Sequence, residues 1–238
     1  MTRRKWMAIA ACAPGISALR AQPRKLKVLV AGGHPGDPEY GCGGTICRYV
    51  DQGHDVALLY LNRGEKTCPE SPEQSAANPR VAEAKRACEI LKARPIFAPQ
   101  CDAHAVVDSA RYDEFRAIVE AENPDVLFTH WPVDNHRDHR AIAMLSLDAW
   151  LRLNRRFALY YYEVSDGEDT AMFAPSDYVD ISSAEPRKRT ACYAHASQSP
   201  DKYYALQDQI ARFRGVESRH ERAEAFTRHV ASPTGLLP

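Results

Sequence analysis

Two short clusters hold most of the residues that could do chemistry: His34-Pro35-Gly36-Asp37-Pro38-Glu39 and, far downstream, His136-Arg137-Asp138-His139. Two imidazoles and a carboxylate are the donor types of a catalytic zinc shell that keeps one position open for water, an arrangement suited to hydrolysis. His34 and Asp37 with a histidine of the second cluster would form such a set. Asp138 stands beside it as a spare carboxylate placed to orient His136.

The elements around the clusters explain how they could meet. Apolar, β-branched runs at 26–31, 55–61, 95–98 and 125–129 read as strands, and the periodic segments 43–53, 80–93, 112–121 and 139–153 read as helices. Strand and helix alternate, which calls for an α/β fold with a parallel sheet covered on both faces. Further strands are expected at 158–164 and 178–181, and closing helices at 183–194 and 200–217. The first cluster follows the first strand and the second follows the fourth, so both fall at the carboxyl edge of the sheet, where ligands gather in such folds. Pro35 with Gly41, Gly43 and Gly44 is expected to hold a tight turn whose amides face the ligand. The stretches 65–79 and 166–175 read as rims over the site.

At 238 residues with 45% hydrophobic content, the chain suits one substantial core, so 22–238 is read as a single domain. Lys+Arg and Asp+Glu both number 31, and no basic surface recommends nucleic acid as a partner. Residues 1–21 combine a charged start, an Arg3-Arg4 pair and a short apolar segment, the layout of a twin-arginine export signal. The mature chain is therefore expected outside the cytoplasm, in a bacterial periplasm, with no integral membrane segment. Cys42, Cys47 and Cys88 sit on helices among apolar neighbours and need no partner. If a disulfide forms, Cys68 and Cys101, both in loop sequence, are the pair.

The ordered set His34-Pro35-Gly36-Asp37, Gly43-Gly44-Thr45, Arg63-Gly64-Glu65, Arg80 to Glu83, Thr129-His130-Trp131-Pro132, His136 to His139, Tyr178 to Ile181 and His195 to Gln198 resembles the PIG-L/LmbE-like zinc-dependent N-acetyl deacetylases. The resemblance implies a three-layer, Rossmann-like sandwich with a mostly parallel sheet and a Zn²⁺ held by His34, Asp37 and His139. It further implies that His136 acts on the tetrahedral intermediate with Asp138 as its partner, that Arg80 contacts substrate, and that Arg63 and His195 lie in the pocket wall. One position departs from the family. Gly36 stands where its relatives carry the Asp that takes a proton from water, so Glu39, Asp134 and Asp138 are the carboxylates nearest in sequence to replace it.

The reading that follows is a zinc hydrolase removing an acetyl group from an N-acetylated amino sugar or glycoconjugate; self-association is left open. The alternative is a catalytically weak, metal-bearing sugar-binding protein of the same fold, which Gly36 favours. A nucleotide-binding Rossmann protein is disfavoured, because the second strand ends Tyr60-Leu61-Asn62 without an acidic residue for a ribose.

Overall fold

The computed structural model describes residues 24–65, 68, 70–71, 74, 78–164 and 170–238; the expected export signal lies outside them. β1 (Lys27–Gly32) shows how the core is divided. Successive side chains of a strand point to opposite faces, and here both faces are covered. Val28 and Val30 enter one apolar cluster while Leu29 and Ala31 enter the other. β2 (Asp55–Tyr60) and β4 (Val126–His130) divide in the same way, which is why these strands read as continuous apolar runs rather than alternating ones.

With β3 (Arg94–Phe97), β5 (Ala158–Tyr162), β6 (Asp177–Asp180) and β7 (Ala223–Arg228), these strands form a seven-stranded sheet in the order β3-β2-β1-β4-β5-β7-β6. The first five positions pair in parallel, and β7 runs antiparallel to both β5 and β6. The chain winds outward from β1 through β2 to β3, then returns to place β4 on the other side of β1. The crevice between β1 and β4 is therefore the topological switch point, the place where such sheets bind ligands.

Helix α1 (Asp37–Asp51) and helix α2 (Pro79–Leu91) cover the first face, together with α5 (Glu185–Tyr193) and α6 (Pro200–Ser218). Helices α3 (Ser109–Glu122) and α4 (Arg137–Arg152) cover the second, where Phe115, Val119, Ile142, Leu145 and Trp150 pack on the sheet. Among the described residues no helix is long and apolar enough to cross a membrane.

The three-layer α/β architecture agrees with the sequence reading, with two differences of detail. Strand β7 was not expected, because Ala223-Glu224-Ala225-Phe226 carries a charge in the middle of a short run. That charge is used. Glu224, only 4% exposed, accepts the N–H groups of Gly44 and Thr45 at 2.8 and 2.7 Å and pairs with buried Lys188 Nζ at 2.6 Å. The glycines after Asp37 are the second difference: they lie inside α1, not in a turn. A Cβ at Gly41 would sit 2.3 Å from the Tyr162 ring, and one at Gly44 would sit 2.4 Å from Ile181. Their role is close approach of α1 to the sheet.

Cys68 and Cys101 are joined by a disulfide, while Cys42, Cys47, Cys88 and Cys192 are buried thiols. Removing the Glu224 carboxylate would strand the Lys188 ammonium and two backbone donors in the interior. Glu224→Ala should therefore lower stability by about 3–5 kcal/mol, read as a fall in the urea midpoint at unchanged slope; a loss below about 1 kcal/mol would refute this role.

Candidate metal centre and its cavity

β1 ends against a tight turn. Gly32 leaves no room for a side chain, since a Cβ there would lie 2.5 Å from Pro38, and Gly36 adopts φ +112°, a region that disfavours any residue with a side chain. The turn delivers Asp37 to the first position of α1, where its Oδ2 accepts the His34 N–H at 2.7 Å. On the β4 side, His136 caps α4, its Nδ1 accepting the Asp138 N–H at 3.2 Å, and the first turn of that helix carries Asp138 and His139 inward.

Asp37 Oδ2 is where the two loops converge. It lies 3.2 Å from His34 Nδ1 and 3.3 Å from His139 Nε2. In a tetrahedral shell with bonds of about 2.0–2.1 Å, neighbouring donors stand about 3.3–3.4 Å apart. Each of these two contacts has the length of such an edge. Among the described residues the groups able to hold a metal ion are His34, His136 and His139; Asp37, His130 and His139; and His34, Asp102 and Asp138.

The imidazoles are backed by carboxylates, as metal-ligating histidines usually are. His139 Nδ1 is 3.1 Å from Asp134 Oδ1, a close contact without hydrogen-bond alignment. His34 Nε2 lies 3.2 Å from Asp138 Oδ2 and 3.1 Å from Asp102 Oδ1. Burial by itself would drive protons off both rings. Asp37 and the carboxylates behind outweigh it, raising His34 above its ordinary range and His139 to about 9. Surroundings that hold a proton so firmly also suit a cation.

His130, at the end of β4, received no role from the sequence. Its Nε2 is 3.1 Å from Asp37 Oδ2, and its ring stacks on His139 with centroids 3.9 Å apart. Burial and the charge of His139 lower its pKa to about 4, so it is a neutral support beneath the charged pair.

A cavity of about 390 Å³ opens at this cluster, lined by His34, Asp37, Tyr40, Arg80, Asp102, His136 and His139 together with Val164, Gln198, Tyr203 and Gln207. Arg80 is there because Asn78 caps α2, accepting the Arg80 N–H at 3.0 Å, while Pro79 fixes the first turn. Its Nη2 donates to Pro35 O at 2.8 Å, and its Nη1 is 3.9 Å from Asp102 Oδ2. His136 is neutral, because burial and the neighbouring charges of His34 and His139 lower its pKa. With Nδ1 occupied as an acceptor, its proton belongs on Nε2, which makes the ring a hydrogen-bond donor.

Several residues expected in the site sit behind it instead. Glu39 is fully buried and saturated: Tyr60 Oη donates to it at 2.7 Å, Gly36 N–H at 3.2 Å, and His195 Nε2 lies 3.0 Å away. Neither Glu39 nor His195 is part of the cavity wall. Arg63 is turned away too, donating to Ala98 O at 3.2 Å and lying over the Phe97 ring. Asp134 accepts the His136 N–H at 2.7 Å and the Thr170 hydroxyl at 3.0 Å. Asp138 accepts Ala103 N–H at 2.8 Å and Asn62 Nδ2 at 3.2 Å, and its carboxylate faces His34 rather than His136. The expected Asp138–His136 side-chain partnership is therefore replaced by the helix cap described above. Asp102 went unnoticed in the sequence, since an Asp after a loop cysteine carries no motif.

A doubly wound sheet with a His/Asp cluster able to hold a metal ion at its switch point defines a class in which hydrolytic chemistry is common. The PIG-L family profile, GlcNAc-PI de-N-acetylase, matches residues 29–150, and the chain belongs to this family. A diacetylchitobiose deacetylase of Thermococcus kodakarensis is 29% identical over 218 residues, covering 84% of this chain and 82% of the relative. A conserved protein of Thermus thermophilus has the same fold, with TM-score 0.74 and 27% identity over 90% of this chain and 97% of its own. So does the 4-carboxy-2-hydroxymuconate hydratase of Pseudomonas putida, with TM-score 0.72 and 21% identity over 90% of this chain and 100% of its own.

The position of Asp134 behind His139 gives a direct test. Asp134→Ala should weaken divalent-metal binding by about 10–100-fold, measured by competition with a chromophoric chelator. Unchanged affinity would show that Asp134 merely fills space beside Thr170.

Proposed function

We propose that this protein is a zinc-dependent deacetylase that removes the acetyl group from an N-acetylated amino sugar or glycoconjugate. The observation that supports the reading is that His34 Nδ1 and His139 Nε2 each stand from Asp37 Oδ2 at the spacing of neighbouring tetrahedral donors, at the floor of an open cavity. Family membership and the diacetylchitobiose deacetylase relative supply the reaction class.

His34 Nδ1, Asp37 and His139 Nε2 would hold the ion, which when bound polarises an amide carbonyl and makes water a better nucleophile. The chain's own groups then divide the remaining work. Beyond Asp37, Asp102 is the carboxylate in the cavity wall, and we assign to it the work left open by Gly36: it takes a proton from the attacking water and returns it to the amine nitrogen as the C–N bond breaks. His136 Nε2–H donates to the oxygen that becomes negative when water adds to the carbonyl. Arg80 offers donors to sugar hydroxyls, and the Tyr40 and Tyr203 side chains offer faces on which a sugar ring can pack.

The second reading, a sugar-binding protein with little turnover, is favoured by Gly36 alone. Acetate release from a panel of N-acetyl sugars, with zinc content measured in parallel, separates the two. Asp102→Asn and His136→Ala should each lower kcat by about 10²–10⁴-fold while zinc stays stoichiometric. An Asp102→Asn enzyme with unchanged kcat and raised KM would make Asp102 a hydroxyl-binding group instead. Gly36→Asp should not improve the enzyme, because φ +112° strains any side-chain-bearing residue by about 1–3 kcal/mol; a clear rise in kcat would contradict this.

We also propose, from Arg3-Arg4 and the apolar segment after them, that the protein works outside the cytoplasm. Exchanging both arginines for lysine should trap the precursor inside, and normal export of that variant would exclude the twin-arginine route.

A further inference from the structure

The segment between β3 and α3 is mostly exposed. Ala103, His104, Val106, Val107 and Asp108 are exposed, Ala103 has φ +59°, and Ala105 alone in this run is buried. Such a segment opens locally unless specific links prevent it. Gln100 brackets Val106 with two hydrogen bonds of 2.7 and 3.2 Å, the His104 N–H donates to Cys101 O at 3.1 Å, and the remaining links run to the candidate metal centre and the start of α4. Asp102 Oδ1 is 3.1 Å from His34 Nε2, Ala103 N–H donates to Asp138 Oδ2 at 2.8 Å, and Arg137 Nη2 donates to Ala105 O at 3.3 Å. The residue directly before Asp102 is Cys101, bonded to Cys68 on the segment that follows β2, at a sequence separation of 33 and with Cα atoms 5.5 Å apart.

We propose that the Cys68–Cys101 disulfide is a positioning element of the active site, holding Asp102 against His34 and the Ala103 amide against Asp138, so that metal affinity and turnover depend on the bond being closed. A cross-link adjacent in sequence to a cavity-wall carboxylate restricts that carboxylate more directly than any other link the loop makes. The bond is accessible, because Cys68 is exposed. A dithiol reductant would open it by exchange, its two thiols becoming a cyclic disulfide as Cys68 and Cys101 take up two electrons and two protons. Cys42, Cys47, Cys88 and Cys192 are thiols already, so among the described residues the effect of reduction belongs to this one bond.

The inference rests on the deacetylase reading for its turnover arm only; the metal arm stands on the contacts to His34 and Asp138. The test compares folded wild-type protein before and after dithiothreitol, with thiols counted by alkylation and mass, and adds the double variant Cys68→Ser/Cys101→Ser. Reduction should weaken zinc binding by about 10–100-fold and lower acetate release, with far-ultraviolet circular dichroism unchanged. In Asp102→Asn, opening the bond should change kcat much less than in wild type, because the group it positions is already gone. Unchanged zinc affinity on reduction would overturn the proposal, as would global unfolding, which would make the bond a stability element. If no acetyl sugar is turned over at all, the deacetylase reading fails while the zinc arm still decides this one.

Discussion

One oxygen, Asp37 Oδ2, ties the two halves of the site together. It accepts the amide of His34 from its own turn and lies within 3.3 Å of imidazole nitrogens on His34, His130 and His139, the last two supplied by the end of β4 and the start of α4. Those residues are far apart in sequence and become neighbours because β1 and β4 are adjacent strands whose following loops leave in the same direction. The turn after β1, the glycine-bearing contact face of α1 and the Glu224 anchor all serve to fix where that oxygen stands.

The electrostatics follow from this crowding. Asp37, Asp134, Asp138 and Asp102 surround His34 and His139 in a largely buried space, and isolated charges in such a place would be strongly unfavourable. Mutual pairing resolves part of it, and the raised proton affinity of both rings expresses the remaining demand for positive charge. A divalent cation would meet that demand as well, which is how the hydrogen-bond pattern bears on the capacity of the cluster to hold a metal ion.

At Gly36 the turn is intact without a side chain. Its backbone accommodates the sharp turn, and behind it the Glu39 carboxylate is held by Tyr60 Oη, the Gly36 N–H and His195 Nε2. Asp102, the cavity-wall carboxylate besides Asp37, comes from the loop after β3, next to a disulfide, rather than from the turn after β1.

Strand and helix periodicities and the two clusters at strand ends are local signals, so the layer architecture and the placing of His34, Asp37, His136 and His139 at one sheet edge were legible in the sequence, whereas Arg80 came from the family resemblance. Only the tertiary structure decided which carboxylate faces which imidazole. Asp138 reads as the partner of His136 because it is two residues away, yet the start of α4 points it at His34 and leaves its backbone amide to the His136 ring. Glu39, Arg63 and His195 sit in motifs beside the site but turn behind it, where buried partners satisfy them. Strand β7 and Asp102 escaped for the complementary reason: each carries a charge in unremarkable sequence, and each gains its meaning from a contact with a segment remote along the chain, Glu224 with α1 and Asp102 with His34. Local pattern reports what a residue can do, whereas its direction within the fold fixes what it does.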